Sequence, residues 1–318
     1  MKKAYLLIAG LLLLFTSCDR MIKNNNEKVV NEIDSAATIK PKEINLYTND
    51  NLTITKKQDC LGFWVGNFNN LNKEDYNTFI SGDEGLSWYR ENKINISIDE
   101  ISGDKVSGHS VVAGNNRPFE GSINELEDKF IFEISEPGDN QYDGKFSFTI
   151  LKNDTVLSGT WKAYKKIEIS ERDYVLNKKV FRYNPDQMLV NVKRYGDWGK
   201  SKNIKEKVDE TNIEIFKKFS SASKLIYEIN ASSKLLTKEE VENFKKGDLL
   251  IIRNTIYARH GYSFKNRPLR VFFDAQPWYI PVHTDIKSEL TEIEKANIIL
   301  LLTYEKNAVE YYDFFGRG

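Results

Sequence analysis

Cysteine and histidine are nearly missing from this chain, with two of the first and three of the second in 318 residues. Cys18 stands at the end of an apolar leader, which leaves Cys60 as the only thiol in the body, and one cysteine cannot form an internal disulfide. Stability must therefore come from core packing. The histidines, His109, His260 and His283, include no pair at the His-x-x-x-His spacing that metal ligands on a helix require, which argues against a zinc site. Net charge is missing too. Lys and Arg number 46 and Asp and Glu 46, and without a basic excess nothing points to a nucleic-acid partner. Beyond the leader the longest apolar run, 298–302, is far too short to span a bilayer. There is no internal repeat, no Gly-x-Ser-x-Gly elbow and no phosphate-binding glycine loop, and no cofactor is expected.

What is present begins with the leader. Lys2 and Lys3 precede an apolar run from Ala4 to Phe15, and Thr16-Ser17 leads into Cys18. A positive start followed by so short an apolar stretch is a cleaved secretory leader rather than a transmembrane helix. The small residues before Cys18 resemble the bacterial lipobox, although Phe15 departs from its usual aliphatic residue. The resemblance implies a signal peptide over 1–17, acylation (palmitate) at Cys18, and a membrane partner engaged through that lipid anchor. Residues 18–57, with Asn24-Asn25-Asn26 and no sustained apolar period, read as a flexible tether.

Over residues 58–165 the apolar period becomes two. Ile94, Ile96 and Ile98 alternate strictly with Asn95 and Ser97, and similar short runs are separated by Ser102-Gly103-Asp104, Gly114-Asn115-Asn116, Glu136-Pro137-Gly138-Asp139 and Lys152-Asn153-Asp154. This spacing predicts an antiparallel meander closed as a small barrel or packed as a sandwich, its interior filled by phenylalanine. Gly62-Phe63-Trp64 and Gly159-Thr160-Trp161 resemble the ends of a lipocalin-type barrel, though any β-domain can bury such tryptophans. Within this domain Arg117 stands beside a turn, and Glu136, Asp139, Tyr142 and Asp143 crowd one loop. Three carboxylates could begin a calcium site; without EF-hand spacing, a solvated turn or an Arg117–Asp143 surface pair is the simpler reading.

Residues 166–229 read as a connecting segment. A loop is expected at 195–199, and a helix over 212–229 from Ile213, Phe216, Phe219, Leu225, Ile226 and Ile229. Residues 230–318 then read as a helical domain able to fold alone. Thr237-Lys238-Glu239-Glu240 and Thr291-Glu292-Ile293-Glu294 are capping boxes, Gly261 is a helix stop, and Asn266 with Pro268 opens a short helix. The helix after Thr291, apolar all round at 298–302, is expected to be the centre of this domain.

Tyr257-Ala258-Arg259-His260-Gly261 spells the signature of the bacterial YARHG domain. The resemblance extends through Arg253-Asn254, Tyr262, Phe264, Phe272-Phe273, Pro277-Trp278-Tyr279, Leu290, Glu294, Asn297 and Glu305. It implies an extracytoplasmic module of no assigned chemistry, so no catalytic residue follows from it. The preceding β-rich region also looks like domains that accompany YARHG in Bacteroidota lipoproteins. Arg253, Tyr257 and His260 share one helical face, and with Arg259, Trp278 and Tyr279 they are the candidate ligand-binding residues. The same residues could equally form a structural network that fixes how helix and loop meet.

The combined expectation is an α+β chain, an N-terminal antiparallel β-barrel or sandwich followed by a small helical C-terminal domain. It would be a non-catalytic lipoprotein of the cell envelope, on the outer membrane by preference, with a binding or scaffolding role. Its partner would be peptidoglycan or another envelope component. The alternative is a hydrolase of an envelope polymer, whose paired carboxylates could lie far apart in sequence.

Overall fold

The structure, a computed structural model, describes residues 53–71, 78–79, 87–88, 90–207 and 212–308. The leader, Cys18 and most of the expected tether lie outside the described residues.

Among the described residues, twelve strands and four α-helices follow one another in chain order. The strands are β1 (Gly62–Asn70), β2 (Thr78–Phe79), β3 (Ser87–Trp88), β4 (Asn92–Ser102), β5 (Lys105–Val112), β6 (Asn115–Glu125), β7 (Lys129–Ser135), β8 (Gly144–Leu151), β9 (Val156–Ala163), β10 (Glu171–Lys179), β11 (Gly196–Lys207) and β12 (Ile213–Ser221). The helices are α1 (Lys238–Val241), α2 (Lys246–Arg259), α3 (Arg267–Asp274) and α4 (Glu292–Asn307).

Eight strands close a barrel in the order β1-β10-β9-β8-β7-β6-β5-β4, with β1 pairing antiparallel to both β10 and β4. Every neighbouring pair is antiparallel, so the barrel is an up-and-down meander that leaves no open sheet edge. The period-two pattern explains it. Ile94, Ile96 and Ile98 point inward and are fully buried, as are Phe130, Phe132 and Ile134 on β7. Phe132 stacks on its cross-strand partner Phe148 at 4.6 Å, so aromatic rings fill the middle of the barrel. One end is plugged. A 3-10 turn, Lys57–Cys60, tucks Cys60 and the preceding Ile54 into the core, and Trp64 donates its indole N–H to the Cys60 carbonyl at 2.9 Å. The fold thus takes in residues 53–57 of the expected tether, and Cys60 ends this turn.

The barrel also extends past residue 165. β10 supplies its last wall, with Tyr174 and Leu176 inward and Val175 outward. A second correction concerns 212–229, where the expected helix is absent: β11 and β12 form a two-stranded ribbon, and only Lys224–Tyr227 makes a 3-10 turn. The loop expected at 195–199 runs into β11, whose pairing with β12 is irregular between Asp197 and Ser201.

In the helical region α2, not α4, is central. Leu249, Ile251, Ile252, Ile256 and Ala258 are at most 1% exposed, whereas α4 packs one face on α2 and leaves Ile299 at 52%. The apolar run 298–302 is therefore split between core and surface. Leu189, Tyr195 and Ile226 belong to this same core, so the helical unit draws on chain well before residue 230.

Candidate functional site

The signature is first a helix terminator. Gly261 adopts φ +69°, its N–H donates to the Ala258 carbonyl at 2.9 Å, and the Tyr262 N–H donates to the Tyr257 carbonyl at 3.1 Å. These two bonds are a Schellman motif, in which a left-handed residue lets the chain satisfy the last carbonyls of α2. The Gly261 carbonyl then accepts the N–H groups of Val282 and His283 at 2.8 and 2.9 Å. A Cβ at 261 would stand 2.5 Å from Val282 Cγ2 and 2.9 Å from the Ile280 carbonyl oxygen, so only glycine fits both the turn and the approach.

Each candidate side chain then makes a bond or ring contact inside the fold. Arg253 forks onto Glu305, with Nε 3.0 Å from Oε2 and Nη2 3.2 Å from Oε1, and its guanidinium lies 6.0 Å from the Tyr257 ring centre. Half-buried Tyr257 meets Tyr262 edge to face at 6.2 Å. Arg259 is buried, donating Nε to the Gln187 carbonyl at 2.7 Å and Nη1 to Ser232 Oγ at 3.0 Å. His260 is 2% exposed, stacks on Tyr183 at 4.2 Å and places Nε2 2.7 Å from Glu294 Oε2. Buried Tyr279 donates its hydroxyl to the Tyr262 carbonyl at 2.6 Å, and Trp278, half-buried, meets it at right angles.

Glu294 gathers this network. Its Oε2 also caps α4 by accepting the Thr291 N–H at 2.9 Å, while Oε1 accepts the Tyr183 hydroxyl at 3.0 Å. Burial works to raise its pKa, but the His260 bond and charge and the Thr291 amide outweigh that and hold it below the usual carboxylate value. An ionised carboxylate only accepts, so His260 Nε2 carries the proton it donates.

The helical region sits on the open end of the barrel. At the start of β4 the Lys93 N–H donates to Asp274 Oδ2 at 2.8 Å, and its Nζ reaches the carbonyls of Gln276 and Tyr279 at 2.8 and 3.1 Å. At the β5–β6 turn, with Ala113 and Gly114 both at positive φ, the Gly114 N–H donates to Ser263 Oγ at 2.9 Å. Outside the barrel wall Phe63 and Val65 pack against Phe181 and Val282.

Between barrel mouth and cover lies a cavity of about 510 Å3. Its floor is apolar, formed by Phe68, Phe146 and Trp161, with Phe68 and Trp161 edge to face at 5.5 Å. Its rim is cationic, formed by Arg90, Arg117, Lys166 and Arg172 of the barrel and Arg267 and Arg270 of α3. Glu136 and Glu168 are the carboxylates in the lining. Glu168 pairs with Arg90. Glu136 is buried, accepting Ser110 Oγ at 3.0 Å and the Gly144 N–H at 2.8 Å; burial raises its pKa despite these bonds and nearby Arg117.

None of these arginines stood among the residues singled out above except Arg117. The crowded loop is a solvated turn only in part: Asp139 and Tyr142 are exposed, whereas Glu136 and Asp143 are buried. Asp143 is 1% exposed, accepts the N–H groups of Gly138 and Asn140 at 3.0 and 3.1 Å, and pairs with Arg117 at 3.2 Å as a buried rather than a surface pair. Its carboxylate is thus engaged by protein donors. Among the described residues no group of three or more His, Cys, Asp or Glu side chains is placed to hold a metal ion.

No helix among the described residues is long and apolar enough to cross a membrane. No curated protein and no solved structure matches the chain. The family model of the YARHG domain matches residues 223–306, from the turn before the helical core through α4. That domain is typical of extracellular or periplasmic proteins. With α2 ending in its signature and Glu294 and Glu305 closing on it, residues 223–306 are a YARHG domain, and it covers the mouth of an eight-stranded barrel.

Proposed function

We propose that this is a non-catalytic lipoprotein of the cell envelope, anchored to the outer membrane through Cys18, whose barrel mouth and YARHG cover together form a binding site for envelope material. The observation that carries the binding reading is the cavity itself. A polar, charge-lined space of about 510 Å3 above an aromatic floor, between two units, has the size and position of small-molecule sites. The signature residues support it indirectly, since their side chains are engaged in holding the cover together.

Peptidoglycan fragments and envelope proteins both present the mixed polar and apolar groups this lining suits. Cross-linking in intact envelopes followed by recovery of the chain tests the reading, with polymer-bound and protein-bound material separated. The parent chain should be recovered from membranes with cross-linked envelope material, and Cys18→Ser should leave unprocessed or soluble protein. A Cys18→Ser chain processed and fractionated like the parent would refute the anchor, and recovery of the parent chain alone would refute the binding role.

A further inference from the structure

The nature of the ligand can be read further from the mouth, an inference that rests on the mouth being a binding site. Guanidinium groups reach it from both sides. Arg172, at the start of β10, lies 5.0 Å over the Phe68 ring and donates Nη1 to the carbonyls of Phe68 and Arg90 at 2.9 and 3.1 Å. Arg270, on α3 of the cover, donates Nη1 to the Lys265 carbonyl at 3.2 Å, and its buried Nε has no hydrogen-bond partner. Arg267 lines the same cavity one turn earlier on α3.

The two half-buried arginines line one cavity, and the charge of Arg270 acts on Arg172. Burial, and then the charge of Arg270, bring Arg172 down to about 10, with Glu91 acting the other way. Burial, offset by Asp274 and reinforced by Arg267, lowers Arg270. The lining carboxylates are held elsewhere, Glu168 by Arg90 and Glu136 by Ser110 and Gly144. Like charges lining a half-enclosed space repel, and an anion between them relieves that repulsion. Guanidinium forks match the oxygens of carboxylates and phosphates. The floor of Phe68, Phe146 and Trp161 suits a flat apolar surface.

We infer that the barrel mouth binds a compact organic oxyanion, its carboxylate, phosphate or like head held between Arg172 and Arg270 and its flat apolar body resting on the aromatic floor.

The test is a fluorescence titration of the Cys18→Ser chain with two probes that share one aromatic body. These are 8-anilino-1-naphthalenesulfonate, which carries an oxyanion, and N-phenyl-1-naphthylamine, which carries none. The sulfonate should bind one per chain, at least tenfold tighter than the neutral probe, and be displaced by phenyl phosphate or benzoate. Arg270→Gln and Arg172→Gln should each weaken the sulfonate tenfold or more without moving the neutral probe. Because Arg172 also holds two backbone carbonyls, an Arg267→Gln/Arg270→Gln chain, altered only on the cover, decides the matter if Arg172→Gln does not fold. Equal binding of both probes, each displaced by benzyl alcohol, would overturn the oxyanion assignment and leave the binding site standing. Binding of neither probe would overturn both. Sulfonate binding indifferent to Arg270→Gln and to the double variant would also overturn the assignment.

Discussion

Glu294 Oε2 lies 2.7 Å from His260 Nε2, joining the third residue of α4 to the residue that caps α2. Both side chains are at most 2% exposed, so the contact is a buried one that also fixes Tyr183 from the segment after the barrel. Removing one partner of such a pair strands the other without its bond. His260→Ala should therefore cost on the order of 3 kcal/mol and lower the unfolding midpoint, and Glu294→Ala should cost at least as much because it also uncaps α4. A thermal double-mutant cycle checks this. Additive losses would show that the two residues do not act as a pair.

Gly261 ends α2 at a positive φ in a space with no room for a side chain. Gly261→Ala is expected to destabilise by about 2 kcal/mol or more, combining left-handed strain with overlap on Val282 and Ile280. Denaturant unfolding measures it, and a loss below about 0.5 kcal/mol would mean the turn relaxes around the new methyl.

Asp274 and Lys93 give the junction of barrel and cover a pH signature. Burial pushes the Asp274 carboxyl up to about 7 despite the Lys93 N–H and charge, and burial brings Lys93 down to about 8 against the pull of Asp274. A carboxyl raised on folding binds its proton more tightly in the native state, so its contribution to stability falls as pH rises from about 4 to about 7. A lysine lowered on folding acts oppositely, and its contribution recovers above about pH 8 as pH climbs toward its unfolded value. Asp274→Asn should remove the first limb, raising the unfolding midpoint at pH 7.5 relative to the parent more than at pH 4.5. Parallel midpoint curves for the two chains would contradict it.

The helical unit should need more chain than its signature. A fragment of residues 180–308 retains Phe181, Tyr183, Gln187, Leu189 and Tyr195, whereas 230–308 loses these and Ile226. Circular dichroism should show cooperative melting for the longer fragment and little or none for the shorter. Equal melting of both would place the first edge of the unit at residue 230.

Local chemistry was the readable part of this chain. Thr237 with Glu240 and Thr291 with Glu294 form the capping boxes that their spacing predicts, Gly261 forms the stop, and Asn266 accepts the Leu269 N–H at 3.1 Å to open α3. The alternation of Ile94, Ile96 and Ile98 marked a barrel wall for the same reason, since one buried face imposes a period of two. β12 departs from the expected helix because its core contact, among the described residues, is confined to Phe219, buried against Val271, while Ile213 and Ile215 alternate correctly yet are 62% and 63% exposed. The mouth was illegible for another reason. Arg172 and Arg270 stand nearly a hundred residues apart, and only barrel closure and the docking of α3 bring them to one cavity. What sequence could offer was the excess of polar residues around Arg117 and Glu136, which did prove to line it.

The central claim is that the barrel mouth binds while the YARHG signature holds its cover in place. Its most direct test is site-specific photocross-linking in intact envelopes. The cross-linker is placed in turn at Tyr142, a half-exposed residue in the mouth lining, and at Ile215 on the outer ribbon. The account predicts adducts from position 142 that are lost in the Arg267→Gln/Arg270→Gln chain, and none from position 215. Adducts from 215 alone, or from 142 undiminished by that double substitution, would contradict it.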